Sequence, residues 1–490
     1  MPMNILVIDI GTTSTRGILY ADGGRELAMH SVQTPLIIDS ATGHMEQSPA
    51  VYRRCIAEIA RAIADRYPVD LISVTAYRSA PALVDRAGNA LCNFIMWQDT
   101  RNSDICRRLE SESDQIYQKS GARLNTVFTA SKLTWLRENA PDLWNRAYKA
   151  MIVPDYVIHS MTGEFATDYT YGSRTHLMDI RTLEWDADMC RLFNITPDKL
   201  CSLRPQGSII GRVCPEFADL TGIRTGTPVI SAGGDQQCGA LGLGIFNSDT
   251  IEVNSGTGSF VISLTDTPSL ENASIILNVA AVPGMYTQEM NIISSASAVN
   301  WLIREFFPEY WGDAPDFAAI NAIAAQTPAG AHGLYVVPHF QGCGSRDWNP
   351  RSRATFSGFS LSTKRNDLIR ALYEGIAAEI AKSIDVLAQG TQKAQSIALA
   401  GGLSKSDIYN RILCDMTNRP LRRSHNAQAT ARGAYLSAAV TIGLYASYAE
   451  GYAHITANDA ADHYLPNPED TQFYLDYKAR TEALYRAGHN

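Results

Sequence analysis

Long apolar runs are missing from this 490-residue sequence, and no stretch approaches the roughly 18 residues of a membrane span. Runs of Lys or Arg are missing as well. With a formal net charge of −8, neither nucleic acid nor an anionic membrane surface is an expected partner. The nine cysteines, among them Cys55, Cys106, Cys238 and Cys414, are scattered and include no CxxC pair. That speaks against a zinc or disulfide framework and for the reduced thiols of a cytoplasmic enzyme. The opening MPMNILVIDI lacks the basic-then-apolar order of a signal peptide and reads as a strand carrying Asp9. Walker loop, strand-borne GxGxxG, HRD and DFG, HExxH and GxSxG are all absent, which disfavours most common nucleotide-binding and hydrolase solutions.

What is present is ordinary folded material, 45% hydrophobic and 19% charged, long enough for two or three domains. Ile5 to Ile10 is strand-like, GTTST is a Gly/Thr turn, and Arg16 to Tyr20 resumes the strand before the hairpin signal ADGG (21–24). The same grammar returns half-way along: Thr250 to Asn254, the turn SGTG (255–258), then Ser259 to Leu264. Two such copies suggest a duplicated architecture with one phosphate-facing loop per half, although Gly/Thr turns also occur in unrelated α/β proteins. Helical periodicity predicts helices over Pro49 to Ala64 and from about Asp367, where Leu368, Leu372, Ile376, Ile380 and Ile384 recur every four residues. Ser404 to Asp407 reads as a capping-box start. Segments 20–35 and 265–290 read as strand-rich inserts, and a domain break is expected near Gly244.

Four constellations carry chemistry. Asp9 ends a strand just before Thr12, Thr13 and Ser14, whose hydroxyls and backbone N–H groups suit phosphate oxygens; the carboxylate suits Mg²⁺, and Arg16 adds charge where a phosphoryl group would be transferred. Gly233-Gly234-Asp235-Gln236-Gln237 lets the backbone approach a ligand and offers Asp235 as a base for a hydroxyl nucleophile. Trp97 within MWQDTR (96–101), with Arg78, suits the mixed faces of a polyol, whereas Asp99 and Arg101 also read as a structural ion pair. Gly401-Gly402-Leu403-Ser404 follows an apolar strand and can receive a flat base. Each motif alone also has a plain reading as a turn or a cap.

Together these segments resemble the FGGY carbohydrate kinases. DIGTTSTR (9–16), MEQSP (45–49), MWQDTR (96–101), PDYVIHSMTGEFATDYTYGSRT (154–175), GGDQQ (233–237), NSGTG (254–258), ALAGGLSKSDIYNRILCDMTNRPL (398–421) and ATARGAYLSA (429–438) fall in that family's order. The resemblance implies an α/β, actin-like (ribonuclease H-like) duplicated fold with an interdomain cleft. Its expected divisions are residues 1–244, 245–445 and a helical tail over 446–490. It implies ATP and Mg²⁺, with Asp235 as base, Asp9 and Asp235 at the metal, and Arg16 facing the transferred group. Thr12, Thr13, Ser14, Gly256 and Thr257 would contact phosphates, and Ala296, Asn300, Gly401, Gly402 and Ser406 would border the nucleotide. The acceptor would meet Arg78, Trp97, Asp235, Gln236 and Phe260.

Within the family the motifs stand nearest to glycerol kinases and xylulokinase-type members. Ser79 and Val127, however, replace a Glu and a Tyr that glycerol kinases use on their substrate. Each unpaired substrate hydroxyl costs roughly 1–3 kcal/mol, so a larger acceptor such as a tetritol, pentitol or pentulose is expected, with glycerol and xylulose as the alternatives. The expected partner is thus a small sugar, sugar alcohol or ketose, with a homodimer compatible. An actin-like ATPase of chaperone or assembly type is the second reading; Trp97, Arg78 and Gln236 speak against it.

Overall fold

The computed structural model describes residues 3–388 and 394–488. Its frame is two mixed sheets whose strands alternate in sequence with the helices that pack on them. The first contains β1 (Ile5–Ile10), β2 (Ser14–Tyr20), β3 (Glu26–Gln33), β4 (Leu71–Ala76), β5 (Ile209–Arg212) and β6 (Pro228–Gly234), ordered β5-β6-β4-β1-β2-β3. The second contains β7 (Thr250–Ser255), β8 (Ser259–Thr265), β9 (Ile276–Val279), β10 (Tyr286–Ile292), β11 (Ser396–Ala400), β12 (Leu421–Ser424) and β13 (Ala461–Tyr464), ordered β9-β10-β8-β7-β11-β12-β13.

The duplication is visible in the pairing. In the first sheet β1 runs antiparallel to β2 and parallel to β4; in the second, β7 runs antiparallel to β8 and parallel to β11. The central strands β1 and β4 are buried along their whole length, as a sheet covered on both sides requires. Segments 20–35 and 265–290 are therefore not inserts: they supply β3, β9 and β10 to the two main sheets. A hydrophobic stretch between two turns cannot by itself distinguish an insert from a sheet edge.

Helix α1 (Pro49–Ala64) starts with Pro at its first position and buries Tyr52, Ile56, Ile59 and Ile63 on the first sheet. Helix α2 (Asp235–Gly242) leaves the end of β6 directly. In the second half lie α3 (Ala296–Phe306), the long α4 (Arg365–Leu387) and α5 (Asp407–Thr417). The four-residue repeat from Leu368 to Ile384 is buried on the second sheet, as expected. The start of α5 differs from expectation: Leu403–Lys405 forms a 3₁₀ turn, and Ser406 rather than Ser404 is the N-cap, accepting from Tyr409 N at 3.3 Å.

Helix α6 (Ala429–Thr441) comes from the second half of the sequence yet packs on the first sheet. Ala431, Ala434 and Ala438 sit against Ile5, Val7, Ile18, Leu71 and Ile230 together with Leu241 of α2. The close approach depends on small residues: a Cβ on Gly433 would lie 1.8 Å from the Cys238 carbonyl oxygen. The expected break near Gly244 falls between α2 and β7. The tail over 446–490 is not only helical: it contributes β13 to the second sheet before α7 (Pro468–Ala487) packs on α4 and α5.

Candidate active site

The two halves enclose a cleft of about 940 Å³, at the upper end of the range for small-molecule sites. Thr12, Arg78, Trp97, Asp235, Gln236 and Phe260 all line it, and so do Ser79 and Val127.

Asp235 is placed by the turn that joins β6 to α2. Gly233 has φ +117, a backbone state suited to glycine, at a register shift in the pairing with β4. A side chain on Gly234 would come within 2.5 Å of Gln237 Oε1 and 2.8 Å of Arg78 Cδ. The turn is braced from behind. Thr75 Oγ1 and the Tyr171 hydroxyl donate to the Gly233 carbonyl at 2.8 and 2.9 Å, and Gly234 N donates to Thr170 Oγ1 at 2.9 Å. Asp168, fully buried, holds Thr170 in turn through its backbone N–H at 2.8 Å. Asp235 thereby opens α2, its carboxylate about one-third exposed to the cleft.

Burial lifts the Asp235 pKa above the usual carboxylate range; Arg78, with Nε 3.8 Å from Oδ1, opposes the rise and the charge of Asp9 adds to it. A base somewhat stronger than a free carboxylate results, which is the direction general-base catalysis requires. Arg78 also donates to Gln236 Oε1 at 2.5 Å and Gln237 Oε1 at 3.2 Å, so the guanidinium is fixed across the first turn of α2.

The first phosphate-type loop is tightly built. Gly11 N donates to Ser14 O at 2.9 Å, Thr34 N donates to the Thr13 carbonyl at 2.9 Å, and Gln47 Nε2 donates to the Thr12 carbonyl at 2.6 Å. Thr13 is exposed on this loop, and Thr12 and Ser14 are half-buried. Trp97 Nε1 reaches Thr12 Oγ1 at 3.3 Å, tying the acceptor side to the loop. Asp9 is buried and paired with Arg16 (Nη2 to Oδ2, 2.5 Å), and Arg16 reaches on to Gln428 at 3.1 Å, just before α6. Burial raises the Asp9 pKa, and Arg16 limits the rise.

The second loop is braced by α3. Ala296 N donates to the Gly256 carbonyl at 3.0 Å, and Ser295 N donates to the Thr257 carbonyl at 2.9 Å. Gly401, at φ +84, presses so closely that a Cβ would lie 2.5 Å from Ser255 O, while Gly402 faces open space. Asn300 keeps a buried Oδ1 without a partner. Ser406 is buried, donates to Asn321 Oδ1 at 2.8 Å and caps α5.

Asp99 and Arg101 take the structural role. Arg101 bonds both oxygens of the buried Asp99 and also Glu46 at 2.9 Å, and lies over Trp135. Sequence reasoning missed Arg174, Glu252 and Glu289, which also line the cleft. Arg174 stands within the quoted TDYTYGSRT and could have been singled out there. The two glutamates are legible only through strand register.

Family models of the FGGY carbohydrate kinases match this chain in two parts, the N-terminal domain over residues 4–242 and the C-terminal domain over 252–442. A glycerol kinase of Rippkaea orientalis is 30% identical over 471 residues, covering 91% of this chain and 92% of that protein. A xylulose kinase of Bacillus subtilis is 27% identical over 478 residues, covering 96% and 94%. The crystal structure of a xylulose kinase from Rhodospirillum rubrum superposes with a TM-score of 0.91 at 28% identity, covering 99% of both chains. With two actin-like halves, a phosphate-type loop in each and both domain models matched in order, the chain belongs to the FGGY family of carbohydrate kinases.

Proposed function

We propose that the protein transfers the γ-phosphoryl group of ATP to a hydroxyl of a polyol or ketose larger than glycerol, with Asp235 taking the proton. The observation that carries this reading is the position of Asp235: on the first turn of α2, beside Arg78, in a cleft it lines together with Thr12 of the first loop and Asn254 and Phe260 of the strands that flank the second. The acceptor oxygen attacks the γ-phosphorus, the bond to the β–γ bridging oxygen breaks, ADP departs and the hydroxyl proton passes to Asp235. Arg78 and Gln236 orient the reacting end, and the Trp97 and Phe260 rings take its C–H faces. Thr12, Thr13, Ser14, Gly256 and Thr257 hold phosphate oxygens. Gly401 and Gly402 border the base, with Ala296 and Asn300 beside the nucleotide.

Asp9 and Asp235 fit a Mg²⁺ ion. Both are hard oxygen donors, and the charge of Asp9 reaches Asp235, where it adds to the rise that burial causes in the Asp235 pKa. When bound with ATP, the ion would neutralise charge on the phosphoryl oxygens. Arg16, paired with Asp9, would hold that carboxylate in place and add positive charge nearby.

Ser79 and Val127 both border the cleft, and both are smaller than the Glu and Tyr of the glycerol kinase pattern. That favours a larger acceptor over glycerol. A chaperone- or assembly-type ATPase has no support beside a sugar-kinase family match. Nine free cysteines favour a cytoplasmic setting.

An ADP-release assay across glycerol, tetritols, pentitols and ketopentoses tests the reading. Asp235→Asn is expected to lower turnover on the order of 10³-fold or more while binding of an ATP analogue persists. Undiminished turnover would remove Asp235 from the role.

A further inference from the structure

Register places a polar patch on the second lobe opposite Asp235. Phe260 of β8 pairs with Asn254 of β7 on one side and Asn291 of β10 on the other; one row further from the loop, Ile262 pairs with Glu252 and Glu289. Residues two apart on a strand share a face, so both rows point the same way. Glu252 and Glu289 thus stand two strands apart, about 10 Å, on the cleft-facing side of the sheet.

These glutamates are costly where they are. Glu252 is 2% exposed and Glu289 4%. One oxygen of Glu252 accepts a long 3.4 Å hydrogen bond from Asn254, and the other, Oε2, has no partner. The facing wall of the first lobe shows the complementary deficit. Arg174 is 8% exposed, lies over Phe128 and donates from Nη1 to Asn278, but its Nε has no partner. Arg123 Nε is likewise buried and unpaired. A buried polar atom left without a partner costs roughly 1–3 kcal/mol. The cleft therefore holds an unpaired acceptor, Glu252 Oε2, on one wall and unpaired donors, Arg174 Nε and Arg123 Nε, on the other.

That combination selects a ligand chemistry. A hydroxyl both donates and accepts, so it satisfies either wall. A carboxylate on the ligand would meet Glu252 and Glu289, and an ammonium would meet Arg174 and Arg123. Burial also pushes the Glu252 pKa up to about 8, so near neutral pH its carboxyl can donate as well as accept.

We infer that Glu252 and Glu289, with Arg174 across the cleft, bind the distal hydroxyls of an uncharged acceptor of pentitol or ketopentose length and so determine which substrate is phosphorylated. The inference rests on the kinase reading above for the reacting end at Asp235. The specificity wall lies on the second lobe and the base on the first, so an acceptor that meets both must reach across the cleft.

The test compares kcat/KM for a pentitol, a ketopentose, glycerol and a six-carbon aldonate in wild type, Glu252→Gln and Glu289→Gln, with KM for ATP as a folding control. In wild type the best five-carbon acceptor should exceed glycerol and the aldonate on the order of 100-fold. In each isosteric variant the ratio to glycerol should fall at least about tenfold while KM for ATP stays put, a pattern that general loosening of the fold would not give. An unchanged ratio in both variants, or an aldonate used as well as the five-carbon acceptors, overturns the inference and leaves the kinase reading standing. Calorimetric titration of the same acceptors into wild type with a non-hydrolysable ATP analogue separates the two ideas. Five-carbon binding that weakens in Glu289→Gln supports this wall even if no acceptor is turned over, which would instead sink the kinase reading; absence of five-carbon binding sinks the wall.

Discussion

The two Gly/Thr hairpins are built on the same strand plan but carry different chemistry. At the end of β1, Asp9 pairs in register with Arg16; at the end of β7, Asn254 pairs with Phe260. The first lobe thus places a buried ion pair beside its loop, and the second places an amide and an aromatic ring at the corresponding row. Duplication preserved the strand–turn–strand backbone, while the charged pair beside the turn is found in one copy and not at the corresponding row of the other.

The comparison is broken most forcefully from the first lobe. Arg16→Ala should lower kcat on the order of 10²–10³-fold, as loss of a charge aimed at the transition state does, and single-turnover kinetics would show it. If the mutant kept its rate, the asymmetry between the hairpins would have no catalytic meaning. From the second lobe, Gly401→Ala forces a Cβ toward Ser255 O at a φ of +84. It should raise KM for ATP roughly tenfold with a smaller change in kcat, since strain of about 1–3 kcal/mol falls on binding.

The pH profile sharpens the same contrast. Asp235 must be ionised to act, and its pKa is raised, so activity should fall with decreasing pH along a limb above the ordinary carboxylate value of about 4. Arg78→Met removes the opposing charge and should move that limb to higher pH; a limb that stays put would mean Asp235 is not the titrating group. The smallest effect concerns stability. Glu252 has its folded pKa at about 8 against an unfolded value near 4.5, so the wild type loses stability as pH rises through that window. Glu252→Gln removes this loss, and its melting temperature should gain on the wild type by a few degrees between pH 5 and pH 8.5.

Much of this was legible in the sequence because turns announce themselves. Gly11, Gly233 and Gly401 mark backbone that other residues could not follow so closely, and each has a polar or acidic residue, Thr12, Asp235 or Ser404, shortly after it in the chain. The strands between them could be read for existence but not for rank: nothing local distinguishes β3 at a sheet edge from an insertion. Asp99 and Arg101 illustrate the limit for charges, since a pair two residues apart looks the same whether it binds sugar or, as here, locks to Glu46 behind the site. Glu252 and Glu289 were invisible because they are 37 residues apart and meet only through β8.

Helix α6 has a consequence for how the chain can be made. The inner face of the first sheet, with Ile5, Val7, Ile18 and Leu71, is synthesised within the first seventy-odd residues, but its cover of Ala431, Ala434 and Ala438 arrives more than 350 residues later. At about 5–20 residues per second on the ribosome, that oily surface waits tens of seconds for its lid. A protein truncated before Ala429 would carry the wait permanently, so the first lobe is not a free-standing module that ends where the sequence of its sheet ends.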